Sequence, residues 1–96
     1  MHLTGKQKRS LRGMAHDKNP VVSIGSQGLS ESVLSEIEIA LEHHELIKIK
    51  LPAGDKQERS TMLTKACSET LSEPIQLIGR VGVLYRKAKK SKIELV

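Results

Sequence analysis

The chain has no Phe and no Trp, and Tyr85 is its only aromatic side chain. A core without rings must be filled by Leu, Ile, Val, Met and Ala. Cysteine is reduced to Cys67, which excludes an intrachain disulfide and fits a reducing compartment. No apolar run approaches the ~18 residues of a membrane span, so no membrane partner is expected. The opening MHLTGKQKRSLRG carries charge with no apolar segment behind it and does not read as a secretory signal. A cytoplasmic location is the expectation. Neither GxGxxG nor a P-loop with its Lys-Ser/Thr is present, which disfavours a nucleotide-using enzyme. No carboxylate cluster suggests acid–base chemistry, and no cofactor is implied.

What remains is a chain of 96 residues, one domain's worth, with room for one small core. It has 16 Lys and Arg against 11 Asp and Glu, a net charge of +5 that favours a polyanionic partner. The charge is segregated. Lys6, Lys8, Arg9, Arg12 and Lys18 crowd the start, and Arg86, Lys87, Lys89, Lys90 and Lys92 crowd the end. Glu31, Glu36, Glu38, Glu42 and Glu45 lie between, with no Lys or Arg among them. The domain is taken as residues 1–96, with a basic C-terminal tail from about residue 88 that is expected to be mobile.

Leu3 to Ala15 reads as a helix with Leu3, Leu11, Met14 and Ala15 on one face and cations around the rest. Asn19 precedes Pro20 and ends it. Val21–Ile24 is a short strand candidate. Leu29 to His44 is the clearest helix: Ser30 is a good N-cap, and Leu29 and Leu34 are spaced as a staple across it. Val33, Leu34, Ile37, Ala40, Leu41 and His44 share its inner face, with His44 packed at the helix end. Ile39 falls outside the pattern. In Leu46–Leu51, Ile47, Ile49 and Leu51 alternate inward against Lys48 and Lys50 outward. Asp55 and Glu58 resemble a capping box that starts a third helix, whose stripe is Met62, Leu63, Ala66, Cys67 and Leu71. Pro74–Ile78 and Val81–Tyr85 are strands joined by Gly79-Arg80, a type II′ hairpin signature. The alternation of Tyr85 with Val81 and Val83 favours a core position for its ring.

The order is therefore α-β-α-β-α-β-β. Right-handed crossovers make the first three strands parallel and the hairpin makes the fourth antiparallel. This predicts an α/β fold: a two-layer sandwich on a mixed four-stranded sheet, with one sheet face on helices and the other partly wet.

Between the first strand and the best helix lies Gly25-Ser26-Gln27-Gly28. A helix N-terminus presents unpaired amides and a partial positive charge, and missing β-carbons let an anionic backbone approach. A GxxG alone is also a tight turn. Beside a cationic helix it is better explained by a phosphate backbone, in the manner of the GxxG loops that clamp nucleic acid in KH domains. If the first strand follows the first helix closely, Lys8 to Arg12 lie within reach of the turn. The shortage of aromatics argues against base stacking on the sheet and favours contact with phosphate, sugar and shape.

LTGKQKRSLRGMAH, PVVSIGSQGLSESVLSEIEIALEHHELIKIKL and IQLIGRVGVLYR together resemble the YhbY family of bacterial CRM-domain proteins. CRM stands for chloroplast RNA splicing and ribosome maturation. The resemblance covers nearly the whole chain. It implies a fold like the C-terminal domain of translation initiation factor three, and an RNA-binding, non-enzymatic function on precursors of the large ribosomal subunit. It places the family's GxxG loop on Gly25, Ser26, Gln27 and Gly28. The expected RNA surface adds Lys6, Lys8, Arg9 and Arg12 as electrostatic attachment and Lys48, Lys50, Arg86 and Lys87 as its extension. Ribosomal RNA is the expected partner and a monomer the expected state. The alternative is an adaptor on ribosomal particles that docks through the acidic helix.

His43 and His44 invite a metal reading. Neighbours on a helix point about 100° apart and do not converge on one ion, so no metal site is expected. Cys67 sits on an apolar stripe and reads as a buried thiol rather than a nucleophile.

Overall fold

In a computed structural model, which describes residues 2–95, the elements are α1 (Gly5–Ala15), β1 (Pro20–Ser23), α2 (Glu31–His44), β2 (Leu46–Lys50), α3 (Lys56–Thr70), β3 (Glu73–Ile78) and β4 (Val81–Tyr85). Residues 1 and 96 of the expected domain lie outside the described stretch. Each helix starts where a side chain satisfies its first amides. Ser30 Oγ accepts from Val33 N at 3.2 Å. Asp55 and Glu58 exchange bonds of 2.8 and 3.3 Å as a capping box. Thr4 and Gln7 form a second box, with both bonds at 3.0 Å. Each cap stabilises its helix by about 1 kcal/mol.

The sheet runs β1-β2-β4-β3, with β1 parallel to β2 and β4 antiparallel to both of its neighbours. Of the two hairpin residues only Gly79 takes a positive φ, +55°, as a type II′ turn requires. The antiparallel course of β4 brings Arg80 beside the C-terminal end of β2, where Leu51 N donates to Arg80 O at 2.6 Å.

Both faces of the central strands are apolar. Ile47, Ile49 and Leu84 join Val22, Ile37, Leu41, Leu63, Ala66 and Cys67 under α2 and α3. Leu46, Val83 and Tyr85 join Leu11, Ala15 and Ile75 under α1. The sheet with α2 and α3 is the expected two-layer unit. Over part of the opposite face, where a wet surface was expected, α1 adds a third layer. Period-two alternation marks Ile47 and Ile49 as inward, while Leu46 of the alternate set is buried as well, under α1. β4 must also pass close beneath α3: a β-carbon at Gly82 would lie 2.7 Å from Leu63 Cδ1.

Two helix ends differ from the sequence reading. Leu71 does not extend the α3 stripe. It caps the helix in the left-handed conformation, φ 53°, and is 86% exposed. Thr70 takes the inner position and donates to Ala66 O at 2.7 Å. His44 is exposed rather than packed. The end of α2 is closed instead by Glu45, fully buried at φ 62°. Its carboxylate accepts from Lys92 N, from Ile93 N at 3.3 Å and from Ser91 Oγ at 3.0 Å. Within the stretch from residue 88, Ala88 is buried, and Ile93 and Leu95 pack against the α1 core.

Candidate nucleic-acid interface

β1 continues past its last ladder residue through Ile24, whose N–H donates to Lys50 O at 2.8 Å. The chain then turns back on itself: Gly28 N donates to Gly25 O at 3.0 Å, and Ser30 N to Gly28 O at 3.0 Å, delivering Ser30 to the N-cap of α2. Gly28 has φ +75°, the left-handed region, so its backbone conformation already favours glycine. Gly25 has no such requirement. Its φ is not positive, and an added β-carbon would meet nothing within 4 Å. The fold therefore supplies no internal reason for a glycine at 25, and the open space above it lies on the outer surface. Ser26 and Gln27 are exposed at the tip.

The turn stands over α3. On one side, a cavity of about 460 Å³ separates it from the β2–α3 loop, lined by Gly25, Ser26, Gly54, Arg59, Met62 and Arg80 among others. On the other side, a cavity of about 520 Å³ is lined by Gln27, Gly28, Thr61, Met62 and Lys65 among others. Met62 and Glu58 belong to both. The cations that line these two cavities are Arg59, Arg80 and Lys65, none of which belongs to the RNA surface expected from the sequence. A topological signal for Arg80 existed. Parallel β1 and β2 end at the same edge, and a hairpin that makes β4 antiparallel must begin β4 there.

The cations expected beside the turn lie elsewhere. α1 covers the opposite sheet face, so Lys6, Lys8, Arg9 and Arg12 do not share the turn's surface. Arg12 lines a separate cavity of about 380 Å³ with His16, Lys18 and Lys48. Lys48 Nζ donates to His16 O at 3.3 Å, and alternation puts Lys50 on the same side. Arg86 is not an open surface cation. Its guanidinium reaches Glu38 at 2.7 Å, Glu42 at 3.5 Å and Thr70 O at 2.9 Å, clamping β4 to α2 and α3. Lys87 is exposed.

The other reactive side chains have structural explanations. Burial pushes the Cys67 thiol up to about 11, which keeps it protonated at neutral pH. Burial, then the neighbouring Glu45 charge, raises Tyr85, whose ring lies in the α1 core. The His43 and His44 rings are 6.2 Å apart and tilted by 46°. Among the described residues, no three His, Cys, Asp or Glu side chains are grouped to hold a metal ion. No helix there is long and apolar enough to cross a membrane.

Known proteins are similar to this chain in sequence and fold. The family model described as the CRS1 / YhbY (CRM) domain matches residues 3–86. A Haemophilus influenzae protein named as an RNA-binding protein is 46% identical over 93 residues, spanning 97% of this chain and 94% of that one. A Bacillus subtilis protein, YqeI, named a probable RNA-binding protein, is 36% identical over 94 residues, spanning 97% and 98%. The solution structure of a hypothetical protein from Staphylococcus aureus superposes with a TM-score of 0.87 at 38% identity, covering 99% of this chain and 100% of that one.

Proposed function

The chain belongs to the CRS1 / YhbY (CRM) domain family, and from that premise we propose that it is a cytoplasmic, monomeric RNA-binding protein that assists assembly of the large ribosomal subunit. It acts by binding and not by catalysis, in keeping with relatives named for RNA binding. The observation that carries the RNA contact is Gly25: an exposed glycine that the fold does not require, on a turn flanked by cavities lined in part by Arg59, Arg80 and Lys65. A phosphate backbone approaching Gly25 and Gly28 meets exposed backbone and the polar tips of Ser26 and Gln27. Lys6, Lys8, Arg9 and Arg12 then serve as a second, separate attachment on the far sheet face, with Lys48 and Lys50 beside them. Arg86 leaves the surface, because Glu38 and Glu42 already hold it.

The ribosomal part of the reading rests on the family resemblance. It is tested by sedimentation of cell extract with and without ribonuclease, followed by crosslinking and sequencing of the bound RNA. Ribonuclease-sensitive migration with large-subunit precursors is the expected result, and migration that survives ribonuclease would point to protein docking instead. Docking through the acidic helix is the weaker reading, since Glu38, Glu42 and Glu45 are occupied by the chain's own C-terminal residues.

A further inference from the structure

We propose that Arg59 and Arg80 form a phosphate-binding cleft for the RNA strand that crosses the Gly25–Gly28 turn, so that the strand runs along α3. This rests on the reading of the turn as an RNA contact.

The cleft of about 460 Å³ lies between that turn and the Gly54 loop, with Met62 in its wall. It is within the size range of sites that hold small ligands, and it needs to admit only one phosphodiester and its sugar. Arg80 is pre-positioned: its Nε donates to Leu51 O at 3.0 Å, which fixes the guanidinium plane and leaves the two terminal nitrogens for a ligand. That planar fork matches two phosphate oxygens. Arg59 carries the stronger indication. Its Nε is buried with no hydrogen-bond partner among the described residues. An unmet buried donor destabilises a protein by about 1–3 kcal/mol, so such a group calls for an explanation. A phosphate in the cleft that Arg59 lines supplies the opposite charge and, once the guanidinium turns toward it, an acceptor for that nitrogen.

Neither arginine has an ion-pair partner among the described residues, where the pairs found all belong to Arg86. Glu58 also lines the cleft, but its carboxylate accepts from Asp55 N at 3.3 Å in the α3 cap. At the other mouth of the turn stands Lys65. Cations therefore flank Gly25–Gly28 on both sides along α3, where a strand passing the turn would place successive phosphates.

The test measures binding of a fluorescein-labelled RNA hairpin with a single-stranded tail, at several salt concentrations, to the full chain. The variants are Arg59→Gln, the double variant Arg59→Gln/Arg80→Gln, and Gly25→Asp. Removing one phosphate-binding cation should lower the slope of log affinity against log salt by ~0.7 on single-stranded RNA. The double variant should lose about 1.4 of slope and Arg59→Gln about half of that. Should loss of the Arg80 bond to Leu51 loosen the fold, Arg59→Gln decides alone, because its Nε has no internal hydrogen bond to lose. A folded Arg59→Gln protein with wild-type affinity and slope, alongside an impaired Gly25→Asp protein, overturns the cleft and leaves the turn standing. Wild-type binding by Gly25→Asp removes the turn itself, and with it the premise of the cleft.

Discussion

Two cationic regions lie on opposite faces of one sheet, and they are built differently. On the α1 face the cations are numerous, four of them within residues 6–12, and Lys6 and Arg9 are exposed. They project from a helix anchored by Leu11 and Ala15, and of them Arg12 lines a cavity with His16, Lys18 and Lys48. On the α3 face they are few and far apart in sequence, yet Arg59, Arg80 and Lys65 converge on one turn. Exposed, screened charge attracts any polyanion over roughly a Debye length. Enclosed guanidinium groups beside an open backbone can hold a phosphate in one geometry. A count of charge along the chain finds the first kind of region; only the fold finds the second.

The largest expected effect tests whether the α3 face is a rigid support. Gly82 passes beneath α3, and a β-carbon there would lie 2.7 Å from Leu63 Cδ1, inside any tolerable contact. Gly82→Ala should therefore lower stability by about 1–3 kcal/mol, as overpacked cores do. Because Leu63 adjoins Met62, the shift should disturb the clefts around the turn while sparing the α1 face. Thermal unfolding gives the first quantity, and chemical-shift changes confined to α3 and the turn give the second. Equal disturbance of α1 would show that the two faces are not independent.

Next comes the turn. Gly25→Asp puts a carboxylate into open space, so the fold should keep its stability while RNA affinity falls at least about tenfold, or 1.4 kcal/mol. Gly28→Asp should weaken binding as well but also destabilise the protein by roughly 1 kcal/mol or more, because φ there is +75°. Circular dichroism and filter binding on the same preparations separate the two. If Gly25→Asp unfolds the protein, the glycine is structural after all and the contrast between the two positions disappears.

Smaller still is the contribution of the α1 cations. Replacing Lys8, Arg9 and Arg12 with Gln removes three charges from a helix whose propensity hardly changes. Up to about two units of salt slope should disappear if all three touch phosphate. The loss should be alike for ribosomal and unrelated structured RNA, because phosphates carry no base identity. Any preference among RNAs should survive, being a property of the turn's side of the sheet. A triple variant with the wild-type slope would confine the RNA footprint to the α3 face.

Element order, the Ser30 and Asp55 caps and the Gly79-Arg80 hairpin were legible because each depends on residues within a turn or two of one another. The Thr4–Gln7 box is equally local, but a threonine near the start of an apparent helix reads as its interior. What periodicity cannot report is the destination of a stripe. Leu11 and Ala15 mark the inner side of α1, but not which sheet face they cover, and the proximity of Lys8–Arg12 to the turn failed on that point. Leu71 continued the α3 pattern in sequence, yet the helix ended one residue sooner and turned it outward. Arg86 stood in a basic run and went to Glu38, almost fifty positions away. Arg59 and Arg80 were invisible for the same reason: their meaning comes from a loop contributed by a distant part of the chain.

The mildest test uses pH, and it acts through the C-terminal segment that packs against the α1 core. Glu45 is buried, which by itself would raise its carboxyl pKa. The hydrogen bonds from Lys92 N, Ser91 Oγ and the backbone of Ala88 and Ile93 outweigh burial and leave it below the ordinary 4.5. A carboxyl depressed in the fold contributes stability that is complete above its unfolded value and is lost as pH falls through the folded value. Between neutral pH and about 5 nothing should change. As pH falls below 4.5 and through the depressed folded value, the carboxylate takes up a proton, its hydrogen bonds weaken, and residues 88–95 should lose their hold on the end of α2. Because Ile93 and Leu95 pack against the Leu11–Tyr85 core, the consequence should reach α1. The Gly25–Gly28 turn, across the sheet, should stay protected. Hydrogen exchange read by mass spectrometry at successive pH values, corrected for the intrinsic pH dependence of exchange, resolves the segments. Glu45→Gln should show the loosened C-terminal segment already at pH 7, with no further acid step of this origin. Acid opening that begins at the turn and α3 while residues 88–95 stay protected would reverse the assignment, and would make the α3 face the less stable half of the molecule.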